Sequence, residues 1–452
     1  MHRSLCRFLN PITSEIVSNL SKITPVLTSD IAKYTTEWLG RKSDGRAVVR
    51  PKSTEQISNI IKICHDGDIG VTVVGGNTGL AGGTLSGKDE LIISLEKLDQ
   101  VLHVDPVSCI ATVESGVILE RLQQELSGYS LTTPYDLGAR GSCTVGGNLA
   151  THAGGQNFVK YGPLRAHVLG LEIVLPDGKV LDLMSTSRKD NTGIDLKQLF
   201  IGSEGCLGII TKANIHCPIL PQYKSVALMS AFSTFSEFVL PSLSLARLHL
   251  GDSLSAFEFI DKAGLSVLPP LPSGGTASEF AIVVEASGVS SVEDGMSNFI
   301  ETVASMCDGV VASDLEGCKK LWHYRESLPV ILGSAGHNIK FDVSLPLDQY
   351  YDLVEGVRAK FGSQTKHVVG YGHVADGNLH LNVVLDNPGP MEKKIADYVY
   401  ARIVGGSVSA EHGIGRDKLS RVVKPPTALF LSRSIKHLFD PRGIMNPGRT
   451  IV

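Results

Sequence analysis

Two hydrophobic periods alternate along the first half of this chain. Ile57, Ile60, Ile61 and Cys64 recur at helical spacing, and Ser53 with Gln56 just before them has the spacing of a capping box. Residues 70–74 follow as a short apolar run that reads as a buried strand. Leu119, Leu122 and Leu126 mark another helix. Residues 168–175 and 180–183 flank Pro176-Asp177-Gly178 and read as a hairpin. Residues 46–220 therefore read as alternating strands and helices. A second region begins near Pro221 and carries a Pro/Gly/Ser-rich loop at 269–275. There, residues 339–343 alternate as a strand, which puts Lys340 on a solvated face. Residues 391–404 read as a helix with Ile395, Val399 and Ile403 on one side, stopped by Gly405-Gly406.

A length of 452 residues allows two or three domains with full cores. A hydrophobic share of 42% with 19% charged residues excludes a disordered chain. The net charge of −4, with no basic stripe, gives no reason to expect nucleic acid. No apolar run reaches transmembrane length. The eight cysteines are scattered without a CxxC pair, which points to a reducing compartment and away from a cysteine zinc site. The first fourteen residues hold Arg3 and Arg7 and no acid; a mitochondrial presequence and an ordinary exposed N-terminus fit equally.

The 47 glycines gather in loops. The first is Gly75-Gly76-Asn77-Thr78-Gly79, continuing to Gly82-Gly83 directly after a strand. It lacks the G-x-G-x-x-G order of a nicotinamide fold. Gly82 with Gly87-Lys88 nearly makes a P-loop, but Asp89 stands where a magnesium-binding hydroxyl belongs. A second loop holds Gly141, Ser142, Gly146, Gly147 and Asn148 and runs on through His152 to Gly154-Gly155. A third holds Glu204, Gly208 and Ile210. Each alone could be turn punctuation. Together, bare amides can cradle a pyrophosphate, and missing Cβ atoms let a flat ring lie close.

The densest chemistry lies at residues 372–382. Asp376-Gly377 is a two-residue hairpin signal that pairs Ala375 with Asn378, Val374 with Leu379 and His373 with His380. Cross-strand partners sit about 4.5–5.5 Å apart at Cβ, so two imidazoles converge. Asn382 shares the face of His380. Glu411-His412 follows, Glu411 standing 31 residues past His380. Two His and a Glu can hold a divalent metal with open positions. Two core histidines and a surface Glu fit the same residues.

The segments GGNTGLAGG, GARGSCTVGGNLAT, RKDNTGIDLKQLFIGSEGCLGIIT, HVVGYGHVADGNLHLNV and GSVSAEHGIG resemble the vanillyl-alcohol oxidase/PCMH superfamily. They resemble most its D-2-hydroxy acid dehydrogenase branch, from about residue 30 onward. The resemblance implies an α+β chain. Residues 1–30 would be a presequence or N-terminal segment, and 31–220 a PCMH-type FAD-binding domain of two subdomains. Residues 221–452 would be a substrate domain with an antiparallel sheet, the FAD-linked oxidase C-terminal domain, its last ~45 residues packing back toward the FAD domain. It places FAD against the glycine loops, with the residues named above and Asn446 lining it. It makes His373, His380 and Glu411 the metal ligands, for zinc first and manganese or iron as alternatives. His412 becomes the general base, near-neutral titration suiting imidazole. Arg325, Lys340 and Asn382 become substrate contacts, two cations suiting a dicarboxylate. The implied reaction takes D-2-hydroxyglutarate to 2-oxoglutarate in the mitochondrial matrix. Electrons would leave to an acceptor such as electron-transfer flavoprotein, and a homodimer stays open.

Three positions depart from the pattern: His152 replaces Asn, Val374-Ala375 replaces Leu-Gly, and Pro329 replaces a substrate-contacting Thr. D-lactate or another D-2-hydroxy acid is the alternative substrate. A zinc hydrolase, and a flavin-binding protein without activity, are the alternatives from other classes.

Overall fold

In the computed structural model, residues 9–272 and 278–451 are described. Most of the basic N-terminal stretch and positions 273–275 of the Pro/Gly/Ser loop lie outside them. The chain forms two compact units, and they do not follow sequence order. One holds the chain up to Ala153, Pro163–Ile219 and the return from Glu411 onward; the other holds Gly154–Gly162 and Leu220–Ala410.

The first unit has two layers of sheet. Ala47–Val49, Glu90–Ser94 and Gly70–Val74 run parallel, with Val26–Leu27 antiparallel at the edge. Helix Thr54–Asp66 covers them, capped by Ser53, whose hydroxyl accepts from the Gln56 amide at 3.2 Å. Its Ile57, Ile60, Ile61 and Cys64 are buried, as the spacing predicts. The second sheet is antiparallel, in the order Val101–Asp105, Ile110–Glu114, Ile209–His216, Val168–Val174, Val180–Leu183. Helix Leu119–Ser127 packs Leu119, Leu122 and Leu126 into its core.

The second unit is built on seven antiparallel strands. Their order is Asp308–Ala312, Tyr223–Ala231, Phe280–Gly288, Leu254–Asp261, His367–His373, Asn378–Leu385, His337–Ser344. Alternation separates the two faces, shifted once at an irregularity between Leu254 and Ala256. Phe257, Phe259, Phe341, Leu379 and Leu381 enter one core with Leu243, Phe299, Val357 and Ile395 of the covering helices. The other face packs part of its width against helices Leu315–Glu326 and Leu328–Ala335. Pro329, in the first turn of the second helix, sits where a missing N–H costs nothing.

Three expectations need correction. Residues 46–220 do not alternate strand with helix throughout: the four strands from Gly70–Val74 to Ile110–Glu114 follow one another without a helix. The helix expected over 391–404 is Pro390–Tyr400. Ile403 lies beyond its end yet still packs against the same core, so the apolar period outruns the helix. The hairpin is also not the two-residue kind. Val374–Asp376 make a 3₁₀ turn, and Gly377 closes it at φ 78°. Val374, expected in the ladder, is instead fully buried in the core below the turn. The observed partners are His373 with Asn378 and Tyr371 with His380. That is a slip of two residues, which keeps every side chain on its expected face.

Candidate active site

In the second unit one sheet face gathers the polar residues. Alternation sends Leu379, Leu381 and Val383 into the core, and so sends Asn378, His380 and Asn382 to the opposite side. Register does the rest. Glu258 stands opposite His373, Tyr371 and Asp342 flank His380, and Lys340 stands opposite Asn382. The slipped hairpin still brings the His373 and His380 rings to 5.2 Å between centroids, nearly perpendicular, with Tyr371 5.3 Å from His380 on its other side.

Arg325 reaches this face from helix Leu315–Glu326 and is buried. Its Nε and Nη2 donate to Glu258 Oε2 at 2.9 and 2.8 Å, and its guanidinium lies 4.8 Å over the Tyr371 ring. Glu258 Oε1 meets His373 Nδ1. Burial alone would raise the Glu258 carboxyl; Arg325 and His373 together outweigh it and hold the group far below the usual carboxylate range. Asn338 Nδ2 donates to Asn382 Oδ1 at 2.9 Å and orients that amide. Lys340 keeps part of its length in solvent, while desolvation lowers its ammonium pKa.

Residues 407–410 extend along the edge strand: Ser407 and Ser344 exchange backbone bonds, and Ala410 N–H donates to the Asp342 carbonyl at 3.4 Å. Glu411 and His412 come next and open the returning segment of the other unit, their Oε1 and Nε2 3.6 Å apart. Sequence reasoning missed Glu258 and Tyr371. The signal for Glu258 was one carboxylate between Phe257 and Phe259, which reads as ordinary alternation.

In the first unit the glycine loops lean on each other. A Cβ on Gly76 would stand 2.0 Å from the Ser142 carbonyl, one on Gly75 2.5 Å from Thr144 Oγ1, and one on Gly146 2.4 Å from Ser115 Cβ. Gly79, in contrast, faces open space. Asn77, at φ 55°, is tied down through its side chain: Nδ2 donates to Thr36 O at 2.7 Å, and Oδ1 accepts from Thr84 at 2.7 Å. Among the described residues, the amides of Asn77, Thr78 and Gly79 meet no acceptor. Such a run of unspent N–H groups is a nest suited to a pyrophosphate, so the residues present fit FAD.

The remaining expected cofactor residues are used in several ways. Thr144 caps the short helix Val145–Thr151, which carries Gly146, Gly147 and buried Asn148. His152 ends it at φ 52° and accepts from Arg165 Nε at 3.2 Å. Burial first, then Arg165, pushes its imidazole down to about 4, so it is neutral at pH 7. Glu204 accepts from the Ile414 and Gly415 amides at 2.7 and 2.9 Å, and Asn446 bridges Glu204 O and Val73 N–H. Both therefore tie the returning segment to the loops. Gly208 and Ile210 pack against Ile173 and the core of the antiparallel sheet, Gly83 looks toward Glu204, and Gly82 toward Asp417. Gly154 and Gly155 belong to the other unit.

The chain belongs to the FAD-linked oxidases. Residues 45–184 match the FAD binding domain family, and residues 220–450 match the C-terminal domain of FAD linked oxidases. It is an FAD-dependent oxidoreductase, which sets aside the hydrolase and the inactive flavin binder. Two of its relatives are the mitochondrial D-2-hydroxyglutarate dehydrogenases of Danio rerio and Bos taurus. Each is 41% identical, over 97% and 96% of this chain and 86% and 83% of theirs. The solved structure of p-cresol methylhydroxylase with substrate bound shares the fold at TM-score 0.75 and 18% identity, over 97% of this chain and 96% of that one. The expected α+β, PCMH-type architecture is the observed one.

Proposed function

We propose that this chain oxidises D-2-hydroxyglutarate to 2-oxoglutarate, with a divalent metal in the site, and passes electrons from its flavin to a protein acceptor such as electron-transfer flavoprotein, in the mitochondrial matrix. The observation that carries the reading is the single face holding His373, His380, Asn382, Arg325 and Lys340. The names of the relatives support the substrate and a mitochondrial location. His373, His380 and Glu411 are the proposed metal ligands, zinc first and manganese or iron as alternatives. His380 is held between Tyr371 and Asp342. Glu411 is covalently one residue past Ala410, whose amide is bonded to Asp342, the strand partner of His380. Its Cα is thus ~3.8 Å from a residue fixed on that sheet.

When bound, the metal would supply Lewis acidity and FAD a hydride acceptor. The chain's own residues do the rest. His412 takes the hydroxyl proton. Lys340 meets one substrate carboxylate as a point charge, and Arg325 meets the other through Nη1, the nitrogen not spent on Glu258. Asn382, aimed by Asn338, donates to the substrate. The residues named in the glycine loops hold the flavin.

Anaerobic titration of the yellow holoenzyme with D- and L-2-hydroxy acids is the test. D-2-hydroxyglutarate is expected to bleach the flavin at lower concentration than D-lactate, and the L acids not at all. Equal response to D-lactate and D-2-hydroxyglutarate would remove the dicarboxylate assignment. His380→Ala is expected to lose metal and turnover while keeping bound FAD. A metal-stripped enzyme that still turns over would remove the metal.

A further inference from the structure

We propose that Glu258 is a positioning residue that fixes the tautomer of His373 and the pose of Arg325 at once. The proposal rests on reading His373 as a metal ligand. Glu258 and His373 face each other across paired strands, so sheet register sets their approach. The carboxylate divides its oxygens. Oε2 accepts from Nε and Nη2 of Arg325, and Oε1 lies against His373 Nδ1. An ionised carboxylate only accepts, so the nitrogen facing it carries the proton. A neutral imidazole has one N–H, and Nε2 is therefore left with its lone pair for a metal.

Arg325 is the guanidinium partner of a carboxylate that is only 1% exposed, so the pair is locked inside the sheet face. Arg325 is held in turn by the Tyr371 ring below it. One carboxylate thus presents His373 Nε2 and, by engaging Nε and Nη2, leaves Nη1 of Arg325 outside the pair with Glu258. The alternative is an ion pair that only stabilises the sheet.

Glu258→Gln tests this. The amide can still accept from Arg325, but its NH₂ then faces His373 Nδ1 and favours the opposite tautomer, with Nε2 protonated. The variant is expected to keep its FAD content and far-UV spectrum and to lose 10–100-fold in zinc affinity, measured by competition with a chromogenic chelator. An unchanged zinc affinity overturns the proposal. If His380→Ala also leaves zinc affinity unchanged, the metal reading itself has failed, and the two failures are told apart. Should Glu258→Gln not fold, ¹⁵N-histidine spectra of the metal-stripped holoenzyme decide. Proton-bearing Nδ1 and bare Nε2 at His373 are expected, and the reverse tautomer overturns the proposal.

Discussion

At the scale of single residues, Gly377 decides where the two histidines meet. Its positive φ lets a four-residue turn replace the expected two-residue one. The cost to the reading was only a slip of two, because an even slip preserves faces. A one-residue slip would have buried His380 among the phenylalanines. Gly377→Val is therefore expected to destabilise the chain by about 1–3 kcal/mol in urea melts and to reduce metal binding, since a β-branched residue resists φ > 0. Unchanged melting and metal content would show that the turn tolerates another geometry. The two histidines, Asn382 and Lys340 were legible because alternation sets their face. Glu258 was not. Alternation tells which residues point away from one core and is silent on what covers the other face, and here that cover is Arg325.

At the scale of elements, the glycine loops were legible as a cluster but not as individuals. Spacing could not say which glycines touch protein and which face open space. Gly75, Gly76 and Gly146 are close-approach glycines between loops, and Gly79 is not. Gly76→Ala forces a Cβ into the Ser142 carbonyl, a backbone atom that cannot swing aside. It is expected to destabilise by about 1–3 kcal/mol and to lower FAD content after purification. Gly79→Ala is expected to melt within about 0.5 kcal/mol of the parent while binding FAD more weakly, because its methyl projects beside the amide nest. If both variants melt and load alike, the loops are not packed as described. The helices Thr54–Asp66 and Leu119–Ser127 were legible, because buried faces at period 3.6 leave a record in sequence. The end of Pro390–Tyr400 was not, since Ile403 continues the apolar period without continuing the hydrogen bonds.

At the scale of the molecule, the chain leaves the first unit, builds the second and returns, and the return was legible only through the resemblance. Composition does not change at Glu411. What closes the first unit is a buried polar latch. Met445 bridges to Val71, and Arg449, fully buried, donates Nη2 to Glu90 at 2.9 Å, to Thr72 at 3.1 Å and to the Leu85 carbonyl. Burial pulls the Glu90 carboxyl upward, but Arg449, Thr72 and the Gly87 amide win, and its pKa is lowered. A carboxyl whose folded pKa lies below its unfolded value stabilises the fold above the unfolded value, about 4.3. That stability is lost as pH falls through the folded pKa. Glu90→Gln leaves the Arg449 charge buried without its counter-ion, so about 3–5 kcal/mol is expected to be lost at pH 7. The gap between parent and variant should hold from pH 7 to 5 and close below pH 4, as the parent protonates Glu90 and the variant has nothing there to titrate. Urea midpoints across that range measure it. A gap that stays constant down to pH 3 would mean that the latch is held by the shape of the returning segment and not by this charge pair.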